Sequence, residues 1–406
     1  MTIPQKPDID KMRAAGWLCE RGKPAAGSNR NAYLALKDLD YRFARDDWSR
    51  VIRDAHGNEL DTDTAIPQLK YHVESAYAAL SYSPTKGAVE DAVTILAAEG
   101  AYDPVRQRLL ALPAPKGRPL DHIGRHAFGT PDTPLQNAQA ALLVRGAVVR
   151  AIQPGAIFPY IPILYSREQG TSKGDALKLI APGGFVSGLS TDGFDWEKKA
   201  GERVGGRSIA EIPEMEGMAP RELRNAKDLA TRTHLDYRAA YDRRLKSHPL
   251  QTIIVATTNR RAMLTDDQHR RTPVIEIPQG KAINMRWLRA SIQDCWAQVV
   301  QEYQAGAYKE NGDAAVRMPP ALWQAAETNS QAHEVEDGLS IRLQDWLTDV
   351  DTQTLTPWVT SAALWDQAQQ TGRPSNGEVS RAMTRMGYQN GTRRVDGKVT
   401  RGWKIY

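Results

Sequence analysis

The chain has 406 residues, of which 41% are hydrophobic and 25% are charged, and it carries a net charge of +5. This length is ample for two or three domains, and no stretch approaches the about 20 apolar residues that a membrane-spanning helix needs. A polar start from Met1 to Met12 predicts no secretory signal, and two cysteines, Cys19 and Cys295, exclude a disulfide framework. We therefore expect a cytoplasmic protein with no membrane partner. The mild positive charge is compatible with a nucleic-acid partner but does not establish one.

The first 130 residues are predicted to form short helices separated by turns. Ser28 is a good capping residue for a helix that follows it, and a second helical pattern ends before Gly100. A third helix is predicted from Gln136 to Ala151, ending before Pro154. These patterns predict an α-helical N-terminal region.

Four apolar runs follow, at residues 157–165, 207–212, 251–257 and 274–277, with helical patterns between them. Strands that alternate with helices favour an α/β fold with a largely parallel sheet. We predict three domains: a helical region over 1–130, a P-loop NTPase core over 131–335, and a C-terminal module over 336–406.

A glycine-containing loop joins the first of these strands to a helix. Its sequence resembles the phosphate-binding pattern G-x-x-x-x-G-K-[ST], in which backbone N–H groups and a lysine hold phosphate oxygens. Gly170 and Lys173 match, whereas Arg167, Ser172 and Gly174 depart from the pattern. The alternative is a polar strand-to-helix turn with an exposed lysine. The predicted nucleotide-binding residues are Gln169, Gly170, Thr171, Ser172, Lys173, Gly174 and Asp175.

Polar residues at the ends of the later strands complete the predicted ATP site. Glu211 and Glu214 lie at the end of an apolar run, and one is predicted to hold Mg²⁺ while the other orients the attacking water. Glu211 is the candidate metal ligand, although the order of the two roles stays open. Asn259 ends the next run and is predicted to contact the terminal phosphate. Arg270 and Arg271 are candidates for an arginine finger supplied to a neighbouring subunit. The alternatives are solvated acidic side chains for Glu211 and Glu214, a plain strand cap for Asn259, and a solvated loop for Arg270 and Arg271.

These motifs, in this order, resemble the virulence-associated protein E family of phages and genomic islands, which is related to superfamily-3 helicases and AAA+ ATPases. The resemblance covers roughly residues 30–325 and includes the stretches at 101–105, 153–155, 168–173, 210–215, 236–241 and 257–259. It implies an ATP- and Mg²⁺-dependent motor or loader that acts on DNA as a homo-oligomeric ring, with a hexamer as the expected form. The catalytic roles of Lys173, Glu211, Glu214, Asn259, Arg270 and Arg271 carry over from it.

A basic segment lies between the acidic strand and the asparagine strand. In related ring helicases the equivalent insertion faces the pore, where cations neutralise phosphates and aromatic rings stack on bases. The alternative is a solvated helix face. The predicted DNA contacts here are Lys227, Arg232, Arg238, Tyr241 and Arg243.

The C-terminal residues predict a winged helix. A capping box at Ser375 and Glu378 opens a helix, and Asp396-Gly397 is a turn between two β-like runs. From Gly372 to Tyr406 there are eight Lys and Arg against two acids, an excess of six positive charges. The alternative is a protein-binding winged helix. The predicted DNA contacts are Arg381, Arg385, Arg393, Arg394, Lys398 and Arg401.

Two functions follow from these patterns. The first is a DNA helicase or replication-initiation ATPase of a phage or mobile element. The second is a DNA-binding factor that does not hydrolyse ATP, on a degenerate P-loop scaffold. No D-x-D cluster of a primase is found near the N-terminus, so a primase would be a separate partner.

Overall fold

The structure, a computed structural model, describes residues 9–192, 196–215, 218, 220–237, 246–260, 271–331, 343, 346–347, 358–369, 376–385, 388–395 and 398–404. These residues fall into two compact units, one that ends at Gln331 and one that begins at Leu343. No helix in the described ranges is long and apolar enough to cross a membrane.

The N-terminal region mixes helices with short antiparallel strand pairs. It has its own apolar core, formed mainly where α2, α3 and α4 pack together. The purely helical prediction for this region was therefore incomplete, although the helices capped by Ser28 and ended at Gly100 are confirmed. Its elements are α1 Ile9–Ala14, β1 Cys19–Glu20, β2 Lys23–Pro24, α2 Asn29–Asp38, β3 Phe43–Asp46, β4 Val51–Asp54, α3 Thr62–Ala76, α4 Lys86–Glu99 and α5 Pro104–Leu110.

A five-stranded sheet lies at the centre of the first unit. The later elements of this unit are α6 Pro134–Ile152, β5 Ile163–Tyr165, α7 Lys173–Ile180, β6 Phe185–Ser187, α8 Trp196–Val204, β7 Ile209–Ile212, α9 Pro220–Thr231, β8 His234–Tyr237, β9 Lys246–Pro249, β10 Ile253–Thr258, β11 Val274–Glu276, α10 Met285–Gln304, β12 Lys309–Glu310, β13 Asp313–Ala314 and α11 Trp323–Gln331.

The sheet order is β11-β5-β10-β7-β6, and every neighbouring pair is parallel. The predicted parallel α/β layer is thus confirmed. Because the strands run in one direction, their carboxyl ends meet at one edge, and Thr258 of β10 lies opposite Tyr165 of β5. The apolar run at 157–165 forms a strand only from Ile163, since Pro159 and Pro162 cannot donate to a ladder.

The helix α6 is the centre of the core. It is buried on nearly all sides and packs against α10, β10 and β11. A Cβ at Gly146 would lie 2.5 Å from the Phe158 ring, so only glycine permits this approach. The sequence is apolar around most of the helix, as expected for an element enclosed by its neighbours.

Arg150 of α6 is fully buried and hydrogen-bonds to backbone carbonyls at the amino-terminal end of the sheet. Its guanidinium donates to the carbonyl oxygens of Ala156 (3.0 Å), Ala230 (3.1 Å), Arg232 (3.0 Å) and Thr252 (2.6 Å). Burial lowers the pKa of Arg150 to about 9, so the side chain remains protonated at neutral pH. These bonds join α6, the end of α9 and the start of β10.

The N-terminal region contacts the sheet unit through Trp48. The Trp48 indole N–H donates to the Gly183 carbonyl at 2.8 Å, and the Gln251 amide donates to the Trp48 carbonyl at 2.8 Å. Gly183 allows this packing, because a Cβ there would overlap the indole ring.

The second unit has its own small core and a three-stranded sheet of order β14-β16-β15. Both strand pairs are antiparallel, and the predicted hairpin is present as β15 paired with β16. Asp396 and Gly397, the predicted turn, lie outside the described residues. Its elements are β14 Trp358–Thr360, α12 Ser361–Gln369, α13 Asn376–Arg385, β15 Gln389–Val395 and β16 Lys398–Lys404.

Candidate functional site at the carboxyl edge of the sheet

The loop between β5 and α7 has a backbone that leaves the start of the helix open. Gly170 (φ +75°) and Ser172 (φ +62°) both adopt the left-handed conformation, which is strained for serine. The Ser172 side chain makes no capping hydrogen bond to α7. Ser172 therefore leaves the N–H groups of the first helical turn without a side-chain cap, as helix N-termini that bind anions do.

Lys173, the first residue of α7, contacts the end of the neighbouring strand. Its ammonium donates to Oδ1 of Asn259 at 2.6 Å. Asn259 directly follows β10, which lies beside β5 in the sheet. The parallel pairing therefore brings together two predicted site residues that are 86 positions apart.

Glu211 of β7 lies on the far side of β10 from the loop strand. It is buried, and its Oε1 accepts a hydrogen bond of 2.8 Å from the Thr257 hydroxyl. Its Oε2 lies 3.9 Å from the position that a Cβ would take at Gly174. The carboxylate thus has one oxygen held by Thr257 and the other facing the start of α7.

Thr257 is a site residue that the sequence reasoning missed. It precedes Asn259 by two positions, so both side chains lie on one face of the extended chain. This spacing of a threonine before the asparagine was the available signal. The structure makes Thr257 the link between the acidic strand and the asparagine strand.

Thr171 supplies a polar atom that suits a ligand. The residue is only 4% exposed, and its hydroxyl oxygen has no hydrogen-bond partner among the described residues. An unsatisfied buried hydroxyl costs free energy unless something bonds to it. A phosphate oxygen in the loop would satisfy it.

The remaining predicted loop and acidic residues lie at the surface. Gln169 and Asp175 are exposed, and Asp175 pairs with Lys178 at 3.1 Å. Glu214 is exposed with φ +49°, beyond the end of β7. Lys173, Glu211 and Asn259 are therefore the predicted catalytic residues that the fold groups, with Glu214 near the same strand end.

Arg271, one of the two predicted finger arginines, lies at the amino-terminal ends of the strands, opposite the ends near Lys173. Arg271 precedes β11, and its carbonyl accepts from the Ile161 N–H at 2.8 Å, before β5 begins. With Tyr160, Arg317 and Trp323 it borders a cavity of about 540 Å³. Arg270 lies outside the described residues. Arg271 is thus remote from Lys173 of its own chain.

Two of the predicted DNA contacts in the basic segment have partners inside the protein. Lys227 is 4% exposed, so its ammonium is not at the surface where a phosphate could reach it. Arg232 pairs with Glu197 at 2.8 Å and Asp228 at 2.7 Å, and covers the Trp196 ring. Arg238, Tyr241 and Arg243 lie outside the described residues.

The hairpin of the second unit carries exposed cations on both faces. Thr392 pairs with Arg401 and Arg394 with Val399, which puts Arg394 and Arg401 on one face. Arg393 and Lys398 lie on the other, and all four are exposed. Arg381 and Arg385 lie on α13, but their side chains are outside the described part of the structure.

The donor set at the carboxyl edge suits a magnesium ion held together with a nucleotide. The described ranges contain no group of three His, Cys, Asp or Glu side chains that could hold a metal alone. Mg²⁺ in nucleotide sites takes one or two carboxylates, with phosphate oxygens and water as its other ligands. Glu211 is placed to be that carboxylate, and the Gly170–Lys173 backbone and Thr171 suit the phosphates.

These elements define an α/β protein in which a parallel sheet carries a strand–loop–helix beside an acidic strand and an asparagine strand. A family model for the virulence-associated protein E-like domain matches residues 112–335, more than half of the chain. The chain therefore belongs to this family, which confirms the predicted resemblance.

Two similar solved structures both come from the NrS-1 C-terminal region, in an A form without ligand. One, described as residues 305–718, is 13% identical with a TM-score of 0.46, and the match covers 93% of this chain and 100% of that one. The other is 12% identical with a TM-score of 0.44, and covers 92% and 99%. No curated protein matches the chain.

Proposed function

We propose that the protein binds ATP with Mg²⁺ at the carboxyl edge of its sheet and hydrolyses it while acting on DNA. The observation that carries this proposal is the contact of Lys173 with Asn259 at 2.6 Å, beside a buried Glu211. A cation, an amide and a carboxylate on three adjacent elements are the groups that phosphoryl transfer needs. The unpartnered Thr171 hydroxyl supports the same ligand.

The chain's own side chains have distinct roles in this proposal. Lys173 leaves Asn259 and places its charge on the phosphates, which frees the Asn259 amide to orient the terminal phosphate or the attacking water. Glu211 keeps Oε1 on Thr257 and uses Oε2 toward the metal and its water. Bound Mg²⁺ supplies charge neutralisation for the transferred phosphoryl group.

Gly174 limits the rate in this proposal. The usual serine or threonine at this position gives a hydroxyl to Mg²⁺, and glycine has none. Water must take that ligand place, so turnover is expected to be slow. The same observation favours the second candidate, a DNA-binding factor that holds nucleotide without hydrolysing it.

The proposed working form is a homo-oligomeric ring, with a hexamer as the family resemblance implies. Arg271 supports it, because an arginine at the amino edge of the sheet cannot reach Lys173 of its own chain. Such an arginine can serve the site of a neighbouring copy.

The second unit is the proposed DNA-binding module. Its order of strand, helix, helix and hairpin, with β14 paired to β16, is that of a winged helix. The four predicted contacts on the hairpin, Arg393, Arg394, Lys398 and Arg401, are exposed and can neutralise phosphates on either side of it. Together with the family membership, this supports a role in the replication of a phage or mobile element.

The test is ATP turnover with and without single-stranded and forked DNA, measured on wild type, Lys173→Ala and Glu211→Gln. We expect DNA-stimulated turnover in wild type and its loss in both variants, with ATP binding retained in Glu211→Gln. Tight DNA binding that is indifferent to ATP, with no turnover above the Lys173→Ala level, would instead support the second candidate.

A further inference from the structure

The cavity of about 540 Å³ at the amino-terminal ends of the strands lies away from the proposed ATP site. One wall comes from the segment before β5, where Tyr160 is buried and its hydroxyl accepts the Met318 N–H at 3.0 Å. Arg271, which precedes β11, borders the cavity as well. Ligand sites in proteins usually have volumes of about 300–1,000 Å³, so this cavity has room for a small ligand or for one unit of a larger one.

Another wall is formed by Trp323, the first residue of α11. The residue is 53% exposed, although its indole N–H donates to the Met318 carbonyl at 2.9 Å and so holds the ring in place. Seven residues later the Ser330 hydroxyl donates to the Thr272 carbonyl at 3.0 Å, just before β11. Seven residues are nearly two helical turns, so Trp323 and Ser330 share the face of α11 that packs against this segment. Trp323 is therefore an accessible ring on the side of the helix next to Arg271.

The cavity also has a cation without a protein partner. Arg271 is half-buried, and its guanidinium has no hydrogen bond or ion pair among the residues that the structure describes. Arg317, by contrast, pairs with Glu310 at 2.9 Å, so these two charges offset each other. The described residues that border the cavity thus leave one positive charge uncompensated. Taking a cation partly out of water costs free energy, and a bound anion would recover it.

An aromatic face beside an unpaired cation suits a ligand that combines a flat ring with an anion. A nucleotide has both, since its base can stack on the ring and its phosphate can pair with the arginine. These two contacts recur in sites for single-stranded nucleic acid, because every base has a π face and every nucleotide carries a phosphate. The bases of a duplex are already stacked on one another, so the ligand must be an unpaired nucleotide.

We propose that this cavity binds one unpaired nucleotide of a DNA single strand, with the base on Trp323 and the phosphate on Arg271. The inference rests on the proposed action on DNA but not on ATP binding at Lys173. It places a single-strand contact in the first unit, in addition to the proposed contacts of the hairpin. Arg271 also supports the proposed ring, and the two roles predict different defects. Loss of an arginine finger lowers ATP turnover, whereas loss of a nucleotide contact lowers DNA affinity in the absence of ATP.

The experiment measures binding of fluorescent oligo(dT) to the full chain without ATP, by anisotropy over a salt series. We expect Trp323→Ala to weaken binding about tenfold at every salt concentration, because stacking of a base releases no counterions. Trp323→Phe keeps a ring and should retain most of the affinity. The control is Tyr71→Ala, which removes another exposed ring, on α3, and should bind as wild type does.

Arg271→Ala should also weaken binding, but with a different dependence on salt. Removing one phosphate contact should reduce the magnitude of the slope of log affinity against log salt by about 0.7 for a single strand. Arg271→Lys keeps the charge and should keep the slope. A residue with only a packing role would not change this slope.

Unchanged oligo(dT) affinity in Trp323→Ala and Arg271→Ala overturns the site, even where Arg271→Ala lowers ATP turnover, since the arginine would then act only as a finger. Weaker oligo(dT) binding together with loss of the oligomer in sedimentation velocity overturns it in favour of a contact between subunits. Weaker binding of free dTMP with normal oligo(dT) binding overturns it in favour of a free nucleotide. If wild type binds no oligo(dT), the inference fails together with the proposed action on DNA.

Discussion

The carboxyl edge of the sheet and the hairpin of the second unit both present charged side chains, but they hold them differently. At the sheet edge Lys173 is bonded to Asn259 and Glu211 to Thr257, each on a strand end or helix start. On the hairpin, Arg393, Arg394, Lys398 and Arg401 are exposed on a two-stranded ribbon. Held groups suit chemistry that needs fixed distances, whereas exposed cations suit neutralisation of a phosphate backbone. One substitution at the sheet edge should therefore remove most of the ATP turnover. On the hairpin, each substitution should remove a similar share of the DNA affinity, and the losses should add.

The largest effect is expected for Lys173→Ala. Removing the charge that is proposed to contact the phosphates should lower ATP turnover about 100- to 1,000-fold, as for other preorganised electrostatic groups. Lys178→Ala is the matched control, because Lys178 is exposed on the same helix and its ion pair with Asp175 at 3.1 Å is solvent-exposed and therefore weak. Similar losses in the two variants would show that any lysine of α7 serves, and would remove the distinction between held and exposed cations.

On the hairpin, alanine substitution of the four cations should weaken DNA binding step by step. In a plot of the logarithm of DNA affinity against the logarithm of salt concentration, each removed cation should reduce the magnitude of the slope by about one. Fluorescence anisotropy over a salt series measures this, with Arg42→Ala in the N-terminal region as the control. A loss concentrated in one arginine would mean that the hairpin reads a specific position and that its cations are not interchangeable.

A smaller effect is expected when the support of Glu211 is removed. Thr257→Val should lower turnover about 10- to 100-fold, because a hydrogen bond to a charged group contributes about 1.5–3 kcal/mol. The same variant should need more Mg²⁺ for half-maximal rate and should keep its KM for ATP. Thr257→Ser retains the hydroxyl and should behave like wild type. Unchanged Mg²⁺ dependence in Thr257→Val would make Thr257 a packing residue.

The smallest effect, and a gain, is expected for Gly174→Ser. Among the described residues, a Cβ at this position has only Glu211 Oε2 within 4 Å, so serine fits and its hydroxyl can face the proposed metal site. Turnover should rise about three- to tenfold, within the range of a single hydrogen bond or ligand contact. Steady-state kinetics against Gly174→Ala separates the hydroxyl from the added carbon. Equal rates in the two variants would contradict the assigned role of position 174.

Local sequence patterns predicted the helices and strands, but they did not predict which elements lie next to one another in the fold. The helix around residues 136–151 and the four apolar runs were predictable from periodicity and turn residues, and the structure confirms their types. The edge strand β6 was missed, because none of its side chains is fully buried and its two apolar residues, between Gly184 and Ser187, do not form a longer apolar run. Sheet order is a tertiary property, so the sequence did not reveal that Arg271 lies at the edge away from Lys173.

The sequence also did not show which charged residues are buried or paired inside the protein. Lys227 and Arg232 were predicted as DNA contacts from their place in a basic segment that resembles the pore-facing insertion of ring helicases, yet the first is buried and the second is paired with two carboxylates. The partners of Arg232 include Glu197, which is 35 positions away and comes close only in the folded chain. Conversely, the sequence could indicate that Lys173, Glu211 and Asn259 lie close together, because Glu211 and Asn259 are at or just after the carboxyl ends of strands and Lys173 opens the helix after a third strand. Their role as a nucleotide site stays a prediction.

The central claim is that Lys173 and the strand ends beside it form a phosphate site. Calorimetric titration of the full chain with ATP and Mg²⁺, in wild type and Lys173→Ala, tests it most directly. The account predicts saturable binding by wild type that is lost or greatly weakened in Lys173→Ala. No binding by wild type at millimolar ATP, or equal binding by both proteins, would contradict it.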